Sequence, residues 1–257
     1  MSYLRPYRKT VHIIVGAEGN TGKTVLARAM AGYLRGFGRE SLIIHDSDPD
    51  YFGYFIVEDF EDAILPFKHH YLELLTRLNK KHQPNPFPEE RINEIKQLVA
   101  KHDGDVIFDI SADGFRDFLR FNLQAQLVPF LETNGSRTLV HTVIFDSYPH
   151  TQTLDMVFNL QLPVIIWKSG LYPQTNEIEQ SLAVEDWENE GKIAAVNDMP
   201  KAEAANIETL ACAEGNGFLY HDRAEATSHS DVDADRLEAF VLAINRTFDL
   251  MQPPLRA

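Results

Sequence analysis

Seven short apolar or β-branched runs punctuate the chain: Val11–Val15, Ser41–His45, Asp105–Asp109, Thr138–Phe145, Leu162–Trp167, Lys192–Val196 and Gly217–His221. They are continuous rather than alternating, the pattern of a strand buried on both faces. Between them lie helix-like stretches, such as Thr24 to Arg35 with its Ala, Leu and Met residues. Strands that alternate with helices predict a mainly parallel sheet of about seven strands with helices on both sides, because parallel strands need long crossovers. A length of 257 residues accommodates such an α/β, three-layer fold as a single domain spanning residues 1–257.

Two segments depart from simple alternation. From Phe60 to Asp103 the chain is too long for one crossover helix. Ile64, Phe67, Tyr71, Leu74, Leu75 and Leu78 mark an apolar helical face, and three prolines in Gln83-Pro-Asn-Pro-Phe-Pro88 forbid a continuous helix. The expectation is a helical insertion at about 60–103, two helices joined by a rigid turn, with the Ile64–Leu78 face packed into the protein's own core. Near the C-terminus, Asp231–Asp235 precede the periodic residues Leu237, Phe240, Val241, Ile244 and Phe248, which predicts a closing helix at about 232–250 with carboxylates at its positive end.

Composition excludes several classes of partner. Lys and Arg number 24 against 38 Asp and Glu, a formal charge of −14, which repels a phosphate backbone and makes strong direct DNA binding unexpected. The apolar runs are strand-sized, far short of the ~20 residues of a spanning helix, so no membrane insertion is expected. Val11–Val15 is also too short for the core of an export signal, and one cysteine, Cys212, permits no intrachain disulfide. A cytoplasmic location follows as the expectation.

The chemistry concentrates in Val11-His-Ile-Ile-Val-Gly-Ala-Glu-Gly-Asn-Thr-Gly-Lys-Thr24, a strand, a small-residue loop and then a helix. A triphosphate needs convergent backbone N–H groups, a flexible cation and a hydroxyl for Mg²⁺, and a loop that opens a helix supplies all three. The amides of Gly19, Asn20, Thr21, Gly22, Lys23, Thr24 and Val25 form the expected cradle. Gly22 permits close approach, Lys23 reaches the terminal phosphates, and Thr24 ligates Mg²⁺. Ala17 stands where G-x-x-x-x-G-K-[ST] has its first glycine. A second strand ends at Asp46-Ser-Asp48-Pro and a third at Asp109. In open α/β sheets ligands sit beyond the carboxyl ends of the strands, so these carboxylates should meet Lys23 on one rim, where acidic groups hold hydrated Mg²⁺ and position the attacking water. The expected metal-side residues are Thr24, Asp46 and Asp109.

These motifs resemble those of the ParA/MinD group of P-loop ATPases in the SIMIBI class, whose loop runs Lys-Gly-Gly-x-Gly-Lys-[Ser/Thr] and whose second strand ends in Asp-x-Asp-Pro. The resemblance implies the P-loop NTPase fold, ATP/ADP and Mg²⁺ as cofactors, Asp48 as the water-positioning carboxylate beside catalytic Lys23, Asp109 on the Mg²⁺ side, and Asn197 against adenine. Phe145-Asp-Ser-Tyr-Pro149 and its surroundings are most similar to the StbB/TraL-like proteins of plasmid stability and conjugation. That implies a slow ATPase switch acting in plasmid partition or conjugal transfer, as a homodimer with a plasmid or conjugation partner protein. Two residues depart from the pattern. Asn20 replaces a glycine, a mild change because Asn tolerates the left-handed backbone region. Glu18 replaces the signature lysine. A carboxylate facing phosphate is repulsive, so Glu18 turns away, binds a cation or marks weak hydrolysis. Two other classes remain open from sequence: a P-loop small-molecule kinase or ATP-dependent ligase with a pocket at 60–103 and Trp167, and a nucleotide-binding scaffold without turnover. His69, His70, His141 and His150 lack any ligand spacing and read as packed or solvated side chains.

Overall fold

A computed structural model describes residues 9–17, 19, 21–36, 39–46, 68–74, 85–144, 150–168 and 193–198. Among these residues seven strands appear in chain order as β1 (Lys9–Val15), β2 (Ser41–His45), β3 (Lys68–Tyr71), β4 (Asp105–Asp109), β5 (Ser136–Ile144), β6 (Val164–Lys168) and β7 (Ile193–Asp198). Among the described residues five helices accompany them: α1 (Lys23–Gly36), α2 (Glu89–Lys101), α3 (Phe115–Ala125), α4 (Leu127–Thr133) and α5 (His150–Phe158). The strands form one sheet in the order β3-β2-β4-β1-β5-β6-β7, and every neighbouring pair is parallel. The fold is the expected three-layer α/β architecture.

Burial explains why the strands read as unbroken apolar runs. All five residues of β2 and of β4 are buried, which requires cover on both faces. One face carries Val11, Ile13, Val106, Phe108, Val140 and Val164 against Phe115, Phe118 and Phe121 of α3, Leu127 and Leu131 of α4, and Leu154 and Val157 of α5. Helix α1 packs against β1, β2 and β4. Its buried Leu26, Met30 and Leu34 lie outside that aromatic cluster, on the other side of the sheet.

Of the helix expected over Ile64–Leu78, the described middle is not helical: residues 68–71 are the edge strand β3, paired with β2 from Leu42↔Lys68 to His45↔Tyr71, and residues 64–67 and 75–78 lie outside the described residues. The periodic spacing was a poor guide here because Leu72 and Leu74 bury their side chains from extended backbone, and the Leu72 N–H donates to the His45 carbonyl (2.7 Å), prolonging the pairing. The second expected helix is α2, preceded by Pro88 in extended backbone. Its proline-rich lead is pinned by two side chains of α3: Arg120 donates to the Asn85 carbonyl (3.2 Å), and Gln124 holds Phe87. Gln124 accepts from the Phe87 N–H and donates back to the Phe87 carbonyl, both at 2.8 Å, while the Phe87 ring meets Phe121 edge-on. The run Gly217–His221 and the closing helix at 232–250 lie outside the described residues.

Candidate functional site

The loop leaves β1 after Val15, and α1 opens at Lys23. Gly22 has φ +100°, backbone that a side chain strains, which accounts for glycine there. The Leu26 N–H donates to the Gly22 carbonyl (2.9 Å), the first bond of the helix. The amides of Lys23, Thr24 and Val25 therefore precede any intrahelical acceptor and form a natural anion site. The Lys23 stem folds back over Gly16: a Cβ on Gly16 would lie 3.5 Å from Lys23 Cδ and 3.6 Å from Thr142 Oγ1. The Lys23 ammonium donates to Thr21 Oγ1 at 3.5 Å, the long limit of a hydrogen bond. Lys23 and Thr21 are buried, whereas Gly19 is exposed with no atom within 4 Å of where its Cβ would stand.

Strand register sets the carboxylates beside this loop. Asp109 ends β4 in line with Ile14 of β1 and His45 of β2, and it is 1 % exposed. Asp46 follows β2 directly, and its N–H donates to the Asp109 carbonyl at 3.4 Å. Burial raises the Asp46 pKa, against the lowering effect of hydrogen bonds from Ser111 and of the Lys23 charge. Asp46 and Lys23 thus share one electrostatic environment. Asp46, expected as a metal ligand, has both oxygens engaged by Ser111: Oδ1 accepts from its N–H (2.6 Å) and Oδ2 from its hydroxyl (2.9 Å).

The structure therefore brings Thr21, Gly22, Lys23, Thr24, Asp46 and Asp109 to one rim. Asn197 lies near the end of β7, in register with Trp167, at the same carboxyl edge but across the sheet. Val25 lies within α1. Glu18, Asn20, Asp48 and the Phe145–Pro149 loop lie outside the described residues. Among the described residues no group of three or more His, Cys, Asp or Glu side chains could hold a metal by itself. A hydroxyl and one or two carboxylates suit Mg²⁺, which keeps waters and binds through phosphates instead of an all-protein cage.

Sequence reasoning missed three contributors: Ser111; Gly114, whose N–H donates to Ser111 Oγ (3.0 Å); and Thr153 of α5, whose hydroxyl accepts from the Ala17 N–H (3.4 Å). Ser111, two residues past a strand-ending Asp, carried the only signal available.

Trp167 is fully buried and joins a chain of rings under the rim. Its indole N–H donates to His141 Nδ1 (3.1 Å), and His141 Nε2 lies 3.1 Å from His12 Nδ1. Burial drives the His141 pKa down to about 3; burial first, then the neighbouring His141, Arg39 and Arg137, drives that of His12 well below its ordinary value. Both rings are neutral, so His141 is a packed side chain, as its lack of ligand spacing suggested.

This architecture is the P-loop NTPase fold of MinD/ParA-type ATPases. MinD cell division protein from Aquifex aeolicus superposes with a TM-score of 0.50 at 14 % identity, over 96 % of this chain and 100 % of that one. A protein from Borrelia burgdorferi B31 assigned to plasmid partition, bound to AMPPNP, gives 0.52 at 15 % identity over 95 % and 100 %. The septum site-determining protein MinD from Pyrococcus horikoshii OT3, complexed with Mg-ADP, gives 0.50 at 14 % over 95 % and 97 %. In sequence the chain is similar to protein TraL of Escherichia coli, 24 % identical over 200 residues that span 74 % of this chain and 76 % of TraL. No protein-family model matches the chain.

Proposed function

We propose that this protein binds Mg²⁺·ATP at the β1–α1 loop, hydrolyses it slowly, and uses the nucleotide state to control its association with itself and with a partner in plasmid maintenance or conjugal transfer. The observation that carries this reading is the convergence of Lys23, the open first turn of α1 and the strand-end carboxylates on one rim. Phosphoryl transfer asks for little beyond positioning and charge neutralisation, and this rim offers both. The amides from Gly19 to Val25 hold the phosphates and Lys23 reaches the terminal ones. Thr24 and Asp109 hold the hydrated metal, which when bound neutralises charge on the transferred group. Asp48, two residues past Asp46, positions water, and Asn197 contacts the base.

The nucleotides bound by the MinD and partition-type neighbours, and the likeness to TraL, support ATP and the plasmid or conjugation setting. Among the described residues no helix is long and apolar enough to cross a membrane. A cytoplasmic homodimer with a protein partner, not DNA directly, accords with a charge of −14.

Lys23→Ala should abolish ATP binding in a calorimetric titration, and undiminished affinity would remove the site. Asp48→Ala should keep binding and lose phosphate release. Glu18 favours a second reading, a nucleotide-binding scaffold, which wins if the wild type holds ATP and releases no phosphate with any partner.

A further inference from the structure

Asp46 stands at the junction of two strand tips, and its surroundings are built around one residue. Ser111 presents both its N–H and its hydroxyl to the Asp46 carboxylate, at 2.6 and 2.9 Å, across 65 residues of sequence. The backbone bond across the same junction, from the Asp46 N–H to the Asp109 carbonyl, is longer at 3.4 Å. The side-chain pair is therefore the tighter tie between β2 and the loop that leaves β4. Charge-assisted bonds of this kind are roughly twice as strong as neutral ones, and they offset the cost of holding a carboxylate away from water.

Gly114 completes the arrangement. A Cβ there would lie 1.6 Å from Asp46 Oδ2 and 2.8 Å from Asp46 Cγ. Its φ of −78° is open to any residue, so the carboxylate's position, not backbone strain, demands glycine. The Gly114 N–H also donates to Ser111 Oγ, which orients the hydroxyl toward Asp46. The Asp46 carboxylate, the Ser111 side chain and the Gly114 backbone thus interlock next to Lys23, whose charge is felt at Asp46.

We infer that Asp46 and Ser111 form a latch that fixes the tip of β2 against the β4–α3 loop, with Ser111 a positioning residue for the nucleotide site and Asp46 acting through the latch instead of as a direct metal ligand. This rests on the nucleotide-binding reading above. It separates two roles a carboxylate at a strand tip can have. A latch needs hydrogen-bonding shape, which an amide keeps by accepting the Ser111 N–H at its oxygen and donating from its nitrogen to a turned Ser111 hydroxyl, whereas a metal ligand needs the negative charge.

The test is a mutant cycle read as ATP affinity by calorimetry and as phosphate release. Ser111→Ala and Asp46→Ala should each lower release about tenfold with affinity within about threefold, as expected when geometry and not binding is lost. The double variant should be no slower than the slower single one, because partners in one interaction are not additive. Ser111→Thr and Asp46→Asn should keep most of the rate. Multiplying losses in the double variant, or an Asp46→Asn protein as slow as Asp46→Ala, would overturn the latch and return Asp46 to the metal. Hydrogen exchange of the Ser111 amide in nucleotide-free protein gives a second readout. It should be protected in the wild type and exposed in Asp46→Ala, and an unprotected wild-type amide also overturns the proposal. A wild type that fails to bind ATP sinks the functional reading, while the exchange result still decides whether the latch exists.

Discussion

The two edges of the sheet both bury charge, and they use it differently. At the amino edge Lys9 donates to the carbonyls of Val99 and, at 2.8 Å, His102, closing the C-terminal end of α2. Asp105, fully buried, accepts from the Thr10 N–H (2.8 Å) and from Arg39 (2.7 Å), with which it forms an ion pair. Burial raises its pKa against those two partners. At the carboxyl edge the lysine is equally buried, reaches Thr21 Oγ1 at 3.5 Å, and lies beside open-turn amides with its charge acting on the Asp46 carboxylate. Charges at the first edge tie strands and a helix end together; at the second they stand around the open first turn of α1, where the proposed nucleotide would sit. Burial alone does not mark a functional lysine, whereas the company it keeps does.

Substitutions at the amino edge test that contrast most severely. A Cβ at Gly104 would sit 2.0 Å from the Glu40 carbonyl oxygen, and backbone cannot retreat as a flexible side chain can. Gly104→Ala should therefore lose about 3 kcal/mol in urea denaturation, the upper range of overpacking; a change under about 1 kcal/mol would mean that this edge is looser than it looks. Lys9→Met strands two carbonyls and should cost about 2 kcal/mol while leaving ATP affinity unchanged. Lys23→Ala has the opposite profile, with affinity lost and the unfolding midpoint little moved. Equal effects of both lysines on stability would erase the distinction between the edges.

Acid should destabilise the fold through the rings between the edges, since the raised pKa values of Asp46 and Asp105 act in the opposite sense. His141 stays neutral in the folded protein down to about pH 3, whereas an unfolded histidine takes up a proton near pH 6.5. The unfolded chain binds more protons as pH falls, so stability is present above about pH 6.5 and lost below it. Between pH 7 and 5 the loss from His141 alone is about 2 kcal/mol, with His12 adding in the same direction. Flat stability over that interval would show that these rings are not shielded from water.

The legible part of the molecule was the part whose signals are local. The runs at Val11, Ser41, Asp105, Thr138, Leu162 and Lys192 became β1, β2, β4, β5, β6 and β7 because burial on both faces writes itself into consecutive residues. Strand β3 escaped because Lys68-His-His-Tyr71 lies at the sheet's edge and owes its conformation to β2, more than twenty residues earlier. The phosphate loop announced itself through glycine, lysine and threonine in sequence. Ser111 and Gly114 did not, since their significance depends on Asp46, 65 residues before Ser111, which only pairing of β2 with β4 brings near.

The ring chain below the rim carries one more implication. Because the Trp167 indole can only donate, His141 must accept at Nδ1 and carry its proton on Nε2, which then faces His12 Nδ1 and leaves His12 protonated at Nε2 as well. The arrow of donation thus points from β6 through β5 to β1, and a single indole at one end dictates the tautomer of two imidazoles, the second of them four positions before the phosphate loop begins.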